Sequence, residues 1–318
     1  MGAEAEQAVV AAVEGDVPPG ASLPRAGRMS LGPLPAGFDL GRVVMSHGWY
    51  QLAPTAYDPA RAVLYRTLDL PDAGPLTVSV RAKGAGLEAS WGRVKGSCDD
   101  RIAVKEQLRR MLAVDVDVSG LYSSCAAVPF LAWVPSSGLG RMLRSPTAFE
   151  DLAKQLATTN CSWALTRLMC RRVVDSLGPE GPEGERAFPS AATVAVAGEE
   201  HFVSVVRAGY RARAFVELAR AYPSLDVARW ESPDVPDEDV LKEIRALRGF
   251  GPYAAEGMLG LLGRPRGLSI DSWVRAKLPR ILGRDAMTDA EIAARYAPLG
   301  RWAGAGLWLE LTRDWFGL

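Results

Sequence analysis

The chain has 318 residues, and its 37 Lys and Arg residues balance 37 Asp and Glu residues, so the formal net charge is zero. Hydrophobic residues make up 48% and charged residues 23%, a globular balance that argues against a disordered chain, a coiled coil or a collagen-like fibre. The charge balance excludes a wholly basic nucleic-acid coat, although it permits a local basic patch. The length predicts about two domains.

Cysteine and histidine are scarce in this chain. Its four cysteines form no CxxC pair and are too few for a disulfide scaffold. The two histidines, His47 and His201, are far apart in sequence, which argues against a His-rich zinc or iron site. We therefore expect no metal centre and a protein suited to a reducing compartment.

The N-terminal segment shows no targeting signal. It carries acidic residues where a signal peptide would have basic ones, and its apolar run at 9–13 is too short to span a bilayer. No later stretch reaches transmembrane length, so we expect a soluble, cytoplasmic protein that does not contact membranes. Residues 1–33 are rich in Ala, Gly and Pro without periodicity, and we expect them to form a mobile tail.

Residues 34–140 are predicted to form a small antiparallel sheet domain with one helix. Short apolar runs are separated by Pro, Gly and Asp turns, and Leu76, Val78 and Val80 alternate with polar residues as in a half-buried strand. The predicted helix covers 98–112. The runs that we assign to the sheet are 41–45, 62–68 and 76–80.

Residues 141–318 are predicted to form a helical body, which makes the fold class α+β. Its first helix starts with Ser145-Pro146, a cap followed by a first-turn proline, and Thr147 with Glu150 matches a capping box. Poor helix formers at 158–162 interrupt that helix. The further predicted helices cover 163–177, 193–209, 212–222, 237–247, 252–262, 272–282, 289–296 and 302–315.

Two of these helices are joined by a glycine turn. Gly249 and Gly251 frame the turn, and Pro252 stands where the first turn of the second helix begins. Glycines let such a turn adopt positive φ and expose backbone N–H groups, which suit a phosphate oxygen of a nucleic-acid backbone. On this motif alone, a plain αα-hairpin is the better interpretation.

Asp271 follows this hairpin, after a hydrophobic loop and at the predicted start of a helix. Together, the hairpin, the loop and this aspartate resemble the helix-hairpin-helix (HhH-GPD) DNA glycosylase superfamily, whose members excise damaged or mismatched bases from double-stranded DNA. The resemblance implies that Asp271 is the catalytic carboxylate. The alternative is an ordinary helix N-cap, and one residue can fill both roles because the helix dipole favours an anion there.

Upstream segments resemble the 8-oxoguanine branch of that superfamily, beside its 3-methyladenine DNA glycosylase II branch. The resemblance implies that Asn160, after two threonines, fills the base stack opposite a flipped nucleotide, and that Tyr210 and Arg211 wedge the stack and contact the unpaired base. The alternatives are a local helix-break residue for Asn160 and a surface helix start for Tyr210. The segments that carry the resemblance are 145–178, 188–190 and 209–213.

The chain departs from the bifunctional relatives at two positions. Tyr253 occupies the place of the lysine that attacks the sugar, and a phenol forms no Schiff base. Leu165 occupies the place of a second arginine that contacts the unpaired base. The resemblance therefore implies a monofunctional glycosylase without metal or organic cofactor. The alternatives are a non-enzymatic helix-hairpin-helix DNA-binding protein, or a glycosylase and lyase that uses Lys154 or Lys277.

Under this interpretation the chain acts as a monomer on double-stranded DNA that contains a damaged or mismatched base. Oxidised purines, alkylated purines and mismatched pyrimidines all stay open as substrates. The expected DNA-binding residues are Asn160, Tyr210, Arg211, Arg248, Gly249, Gly251 and Arg275.

Overall fold

The computed structural model describes residues 27–92, 97–264 and 267–318. Most of the predicted tail, residues 1–26, lies outside the described residues. Within the described ranges, an antiparallel sheet in the N-terminal part precedes a body built of helices, so the predicted α+β class is confirmed. No helix in these ranges is long and apolar enough to cross a membrane.

The sheet has five strands in the order β1-β5-β4-β3-β2, and all neighbouring pairs are antiparallel. The alternation that predicted the central strand is confirmed, because Leu76, Val78 and Val80 are all buried on one face. The strands are β1 (Gly27–Ser30), β2 (Thr55–Asp58), β3 (Val63–Leu70), β4 (Gly74–Lys83) and β5 (Gly86–Trp91).

Two predictions for this region are wrong. The sheet begins inside the predicted tail, because β1 pairs with β5. The Trp91 indole occupies the space where a Cβ on Gly27 would lie, so glycine allows this close approach. The run 41–45 is not a strand: it belongs to a short helix over Leu40–Val44. That helix starts there because the Asp39 carboxylate accepts the Arg42 N–H at 2.8 Å, an N-cap that the apolar run concealed.

The helical body follows the sequence prediction closely. The helices that begin at Trp163, Ala212, Asp237, Pro252 and Ser272 start at the predicted residues. In the described ranges the α-helices are α1 (Leu40–Val44), α2 (Cys98–Met111), α3 (Ser119–Ala126), α4 (Val134–Ser137), α5 (Ala148–Ala157), α6 (Trp163–Leu177), α7 (Ala191–Ser204), α8 (Ala212–Ala221), α9 (Val227–Glu231), α10 (Asp237–Arg245), α11 (Pro252–Leu261), α12 (Ser272–Ile281), α13 (Asp289–Tyr296) and α14 (Ala303–Thr312).

Helix α7 departs from its predicted bounds at both ends. Its N-cap is Ser190, whose hydroxyl accepts the Thr193 N–H at 3.1 Å, so the helix starts two residues early. It ends at Ser204 rather than at residue 209, because Arg207 and Gly209 adopt positive φ values of 58° and 59°. The chain thereby forms a separate 3-10 turn over Gly209–Arg211 before α8.

Two apolar clusters make up the core. The larger one joins the sheet to α5 and to the helices from α6 to α11, and the smaller one joins α3 and α4 to α12, α13 and α14. A buried ion cluster also ties the sheet to the body: Arg66 on β3 donates two hydrogen bonds to Glu150 on α5, at 2.9 and 2.5 Å. Asp271 lies where the chain passes from the larger cluster to the smaller one.

Candidate functional site

The glycine turn between α10 and α11 has the geometry of a backbone-donor hairpin. Gly249 has a φ of +87°, and a Cβ at this position would lie 2.5 Å from the Leu156 Cδ1. Gly251 is the N-cap of α11, has an ordinary φ of −70° and faces open space. Within the described ranges, neither glycine N–H donates a hydrogen bond. The turn therefore presents donors beside a helix N-terminus, the arrangement that suits a phosphate oxygen.

Two of the three arginines predicted to bind DNA, Arg248 and Arg275, differ in their availability. Arg248, at the turn, is exposed and lies 3.7 Å from Glu217, a loose surface contact. Arg275 on α12 donates two hydrogen bonds of 2.8 Å to the Asp289 carboxylate. The pKa of Arg275 is raised, first by these hydrogen bonds and then by the negative charges of Asp289 and Asp271. Arg275 would have to leave Asp289 before it contacted a phosphate.

Asp271 is the N-cap of α12. Its Oδ1 accepts the Val274 N–H at 2.9 Å, and the residue is partly exposed. Within the described ranges the second carboxylate oxygen accepts no hydrogen bond. The carboxylate lies at the positive end of the α12 dipole, and the partial exposure of the residue brings it within reach of solvent.

Three partly exposed tryptophans form a row of rings that begins two residues after Asp271. The Trp273 ring lies 5.8 Å from the Trp308 ring, which in turn lies 5.8 Å from the Trp315 ring in an edge-on arrangement. Trp273 was not among the predicted site residues, although its position in the first turn after Asp271 was a signal for it. These rings form an aromatic surface that α12 shares with the C-terminal helices.

The structure also locates the groups considered for lyase chemistry. Lys154 is fully buried with its Nζ 2.6 Å from Glu150, and Lys277 is buried with its Nζ 3.0 Å from Asp314. Because the attacking amine of a lyase must reach the sugar, these ion pairs with carboxylates argue against both lysines as the nucleophile. Tyr253, the residue predicted to occupy the place of the lyase lysine, is half exposed in the first turn of α11.

A second group of residues forms at the junction of α5 and α6. Asn160 has a left-handed backbone with a φ of +46°, and its amide Nδ2 donates to the Tyr210 hydroxyl at 3.2 Å. Tyr210 lies in the 3-10 turn over Gly209–Arg211 and is 67% exposed. Tertiary structure therefore brings together the two side chains that the sequence resemblance assigned to one task.

Arg211 does not face outward as we expected. It is buried, its Nε donates to the Thr159 carbonyl at 2.9 Å and to the Thr159 hydroxyl at 3.1 Å, and its Nη2 also bonds that carbonyl. The guanidinium covers the inner face of Tyr210, 4.5 Å from the ring centroid. In this structure Arg211 holds the Asn160 turn in place, and Leu165 is the side chain exposed nearby on α6.

The Asn160 turn and the glycine hairpin are packed against each other. Leu156, in the last turn of α5, fills the space beside Gly249, and Gln155 lies against Gly257 on α11. A cavity of about 50 Å³ lies further along α11, beside Trp308 on α14. It does not include Asp271, and its volume suits about three or four water molecules rather than a whole base.

Comparisons with known proteins give a clear result at the level of structure. No protein-family model matches the chain, and no curated protein matches it in sequence. The structure is similar to a 3-methyladenine DNA glycosylase from Archaeoglobus fulgidus, with a TM-score of 0.66 and 19% identity over 91% of this chain and 99% of that chain.

Two further solved structures are similar to this chain to about the same extent. MBOgg1 in complex with a low-affinity DNA ligand has a TM-score of 0.65 and 17% identity, and covers 90% of this chain and 95% of its own. The apo 8-oxoguanine glycosylase/lyase of Clostridium acetobutylicum has a TM-score of 0.64 and 15% identity, over 86% of this chain and 93% of that chain. The chain thus shares the fold of these solved DNA glycosylases, as the sequence resemblance implied.

Proposed function

We propose that this protein is a monofunctional DNA glycosylase of base-excision repair. It acts on double-stranded DNA and hydrolyses the N-glycosidic bond of a flipped damaged or mismatched base. The observation that carries this proposal is Asp271: it caps α12 directly after the hairpin and its loop, and it keeps one carboxylate oxygen without a hydrogen bond in the described ranges. The similarity to three solved glycosylases supports it at the level of the fold.

The mechanism assigns one task to each part of the surface. The Gly249 and Gly251 amides, with Arg248, hold the DNA backbone. Asn160 and Tyr210 fill the gap that an extruded nucleotide leaves, which offsets an unstacking cost of a few kcal/mol. Asp271 stabilises the positive charge that develops on the sugar as the bond breaks, and it orients or deprotonates the attacking water.

The monofunctional assignment rests on Tyr253 and on the two ion-paired lysines. A phenol at the lyase position gives no imine, while Lys154 and Lys277 are each bound to a carboxylate. Base release should therefore leave an intact strand with an abasic site, which is cleaved only by later alkali or heat.

The test uses duplexes that carry one oxidised purine, one alkylated purine or one mismatched pyrimidine. We expect abasic product from at least one of them, and a loss of at least about 100-fold in release rate for Asp271→Asn. Because Asn is as good an N-cap as Asp, this variant should melt at the parent temperature and bind the duplex as well as the parent protein.

Three results would contradict the proposal. A folded Asp271→Asn protein with full activity would exclude Asp271 as the catalytic group. Binding without product from any duplex would favour the non-enzymatic alternative. A covalent adduct trapped by borohydride with the parent protein would show that an amine reaches the sugar and would end the monofunctional assignment.

A further inference from the structure

Glu256 makes a contact that the mechanism above does not use. This residue lies on α11, three residues after Tyr253, and its Oε2 accepts the Gly267 N–H at 2.7 Å. Side chains three apart on a helix share a face, so Glu256 and Tyr253 lie on the same side of α11. A charged acceptor makes this bond stronger than a neutral one.

The Glu256 carboxylate lies close against the Gly267 backbone. A Cβ at residue 267 would lie 3.1 Å from the Glu256 Oε1 and 3.3 Å from the Oε2, slightly closer than ordinary van der Waals contact. An alanine here would keep its N–H donor, and the flexible end of the Glu256 side chain would have to move by only a few tenths of an ångström.

The contact fixes the middle of the segment that delivers Asp271. Upstream, the Arg264 guanidinium is buried and donates to the Trp230 carbonyl at 2.6 Å and to Asp237 at 2.6 Å. Downstream, Leu268 and Ile270 pack against the smaller apolar cluster before Asp271 caps α12. Glu256 thus ties the helix that begins at the DNA-facing turn to a point four residues before the carboxylate.

We propose that Glu256 is a positioning residue: through Gly267 it sets the distance between the hairpin, which holds the DNA backbone, and Asp271, which acts on the sugar. This inference rests on the proposed function. A shift of about 1 Å in a reacting group reduces a rate by about 100-fold even when the mutation is remote. Glu256 itself does not touch the reacting atoms, so its loss should lower the excision rate and leave duplex binding unchanged.

The experiment compares Glu256→Ala and Glu256→Gln with the control Glu238→Ala, an exposed carboxylate on α10. Single-turnover base release should fall about 10- to 100-fold in Glu256→Ala, with the dissociation constant for an undamaged duplex unchanged. The Gln amide oxygen still accepts the N–H, so Glu256→Gln should keep most of the rate.

Hydrogen exchange of the peptide over residues 267–271 gives a readout that needs no substrate. Exchange should become faster in Glu256→Ala, and should return to the parent rate in Glu256→Gln. Unchanged exchange in Glu256→Ala, or faster exchange with the parent excision rate, would overturn the positioning role while the glycosylase function stood. A parent protein that releases no base would overturn the proposed function, and with it the catalytic part of this inference, whereas the exchange data would still decide whether the contact exists.

Discussion

Asn160 combines a backbone that most residues avoid with a side chain bound to Tyr210. Its φ of +46° is one that Asn tolerates better than other non-glycine residues, and Arg211 satisfies the Thr159 carbonyl that the turn exposes. Asn160 and Tyr210 thus face solvent, while Arg211 lies beneath them and holds the turn in place. This division separates the two residues that we propose to contact DNA from the arginine that holds the turn.

That separation predicts different effects for two variants. Asn160→Gly keeps the left-handed turn and removes the amide, so excision should slow while the free energy of unfolding stays within about 0.5 kcal/mol of the parent. Arg211→Met removes the guanidinium that donates to the Thr159 carbonyl and hydroxyl, and leaves that carbonyl only the longer contact from the Tyr210 hydroxyl, at 3.3 Å. It should lower the free energy of unfolding by about 1–3 kcal/mol. Urea unfolding and single-turnover excision measure the two quantities. An unstable Asn160→Gly protein, or an Arg211→Met protein of parent stability, would contradict the division.

At the scale of elements, the hairpin depends on its two glycines for different reasons. Glycine at position 249 stabilises the folded turn, because the backbone has a φ of +87° and a Cβ there would collide with the Leu156 side chain. Gly251 has an ordinary φ and open space around it, so nothing in the folded chain requires glycine there. The open space is where a DNA backbone would lie.

Alanine at each position therefore gives a matched pair. Gly249→Ala should destabilise the fold by about 1–3 kcal/mol, from left-handed strain and overpacking. Gly251→Ala should fold like the parent and bind all duplexes more weakly to the same extent. Its log–log salt slope should be shallower by about 0.9 if one phosphate contact is lost. Fluorescence anisotropy across a salt series measures the affinity for DNA and its salt slope, and thermal melting measures the stability of each variant. Parent-like binding by Gly251→Ala would exclude the turn as an anchor.

The sequence predicted helices and strands well where the residues that stabilise them are close together in the chain. Caps and first-turn prolines fixed the starts of helices such as the one at Pro252, and alternation identified β4. Strand β1 was missed, because its four residues carry no period and form a strand only by pairing with β5. The burial of Arg211 could not be predicted either, since its partner Thr159 is 52 residues away. The contact of Glu256 with Gly267 spans only 11 residues, but no cap, period or turn motif in the sequence marks it.

At the scale of the whole molecule, the sheet and the helical body meet at a buried charged cluster. Glu150 on α5 accepts from Arg66 on β3 and from Lys154 one turn further along α5, and all three side chains are at most 2% exposed. Burial alone would raise the pKa of Glu150, but the two adjacent cations outweigh it and hold that pKa below its ordinary value of 4.5. Protonation of this carboxyl in the folded state would leave two buried cations without their counter-ion.

This cluster predicts an acid limit to the stability of the protein. A carboxyl whose pKa is lower in the folded than in the unfolded state contributes its full stabilisation above the unfolded pKa, near 4.5, and loses it as the pH falls through the folded pKa. Unfolding free energy measured by urea titration should therefore fall as the pH is lowered below about 4.5. Glu150→Gln should be about 3–5 kcal/mol less stable at neutral pH, because it uncovers the two cations, and it should lose this part of the acid dependence. The exposed control Glu200→Gln should behave like the parent at every pH. A Glu150→Gln protein that matches the parent at neutral pH, or that keeps the full acid dependence, would show that the sheet and the helices are held together by apolar packing alone.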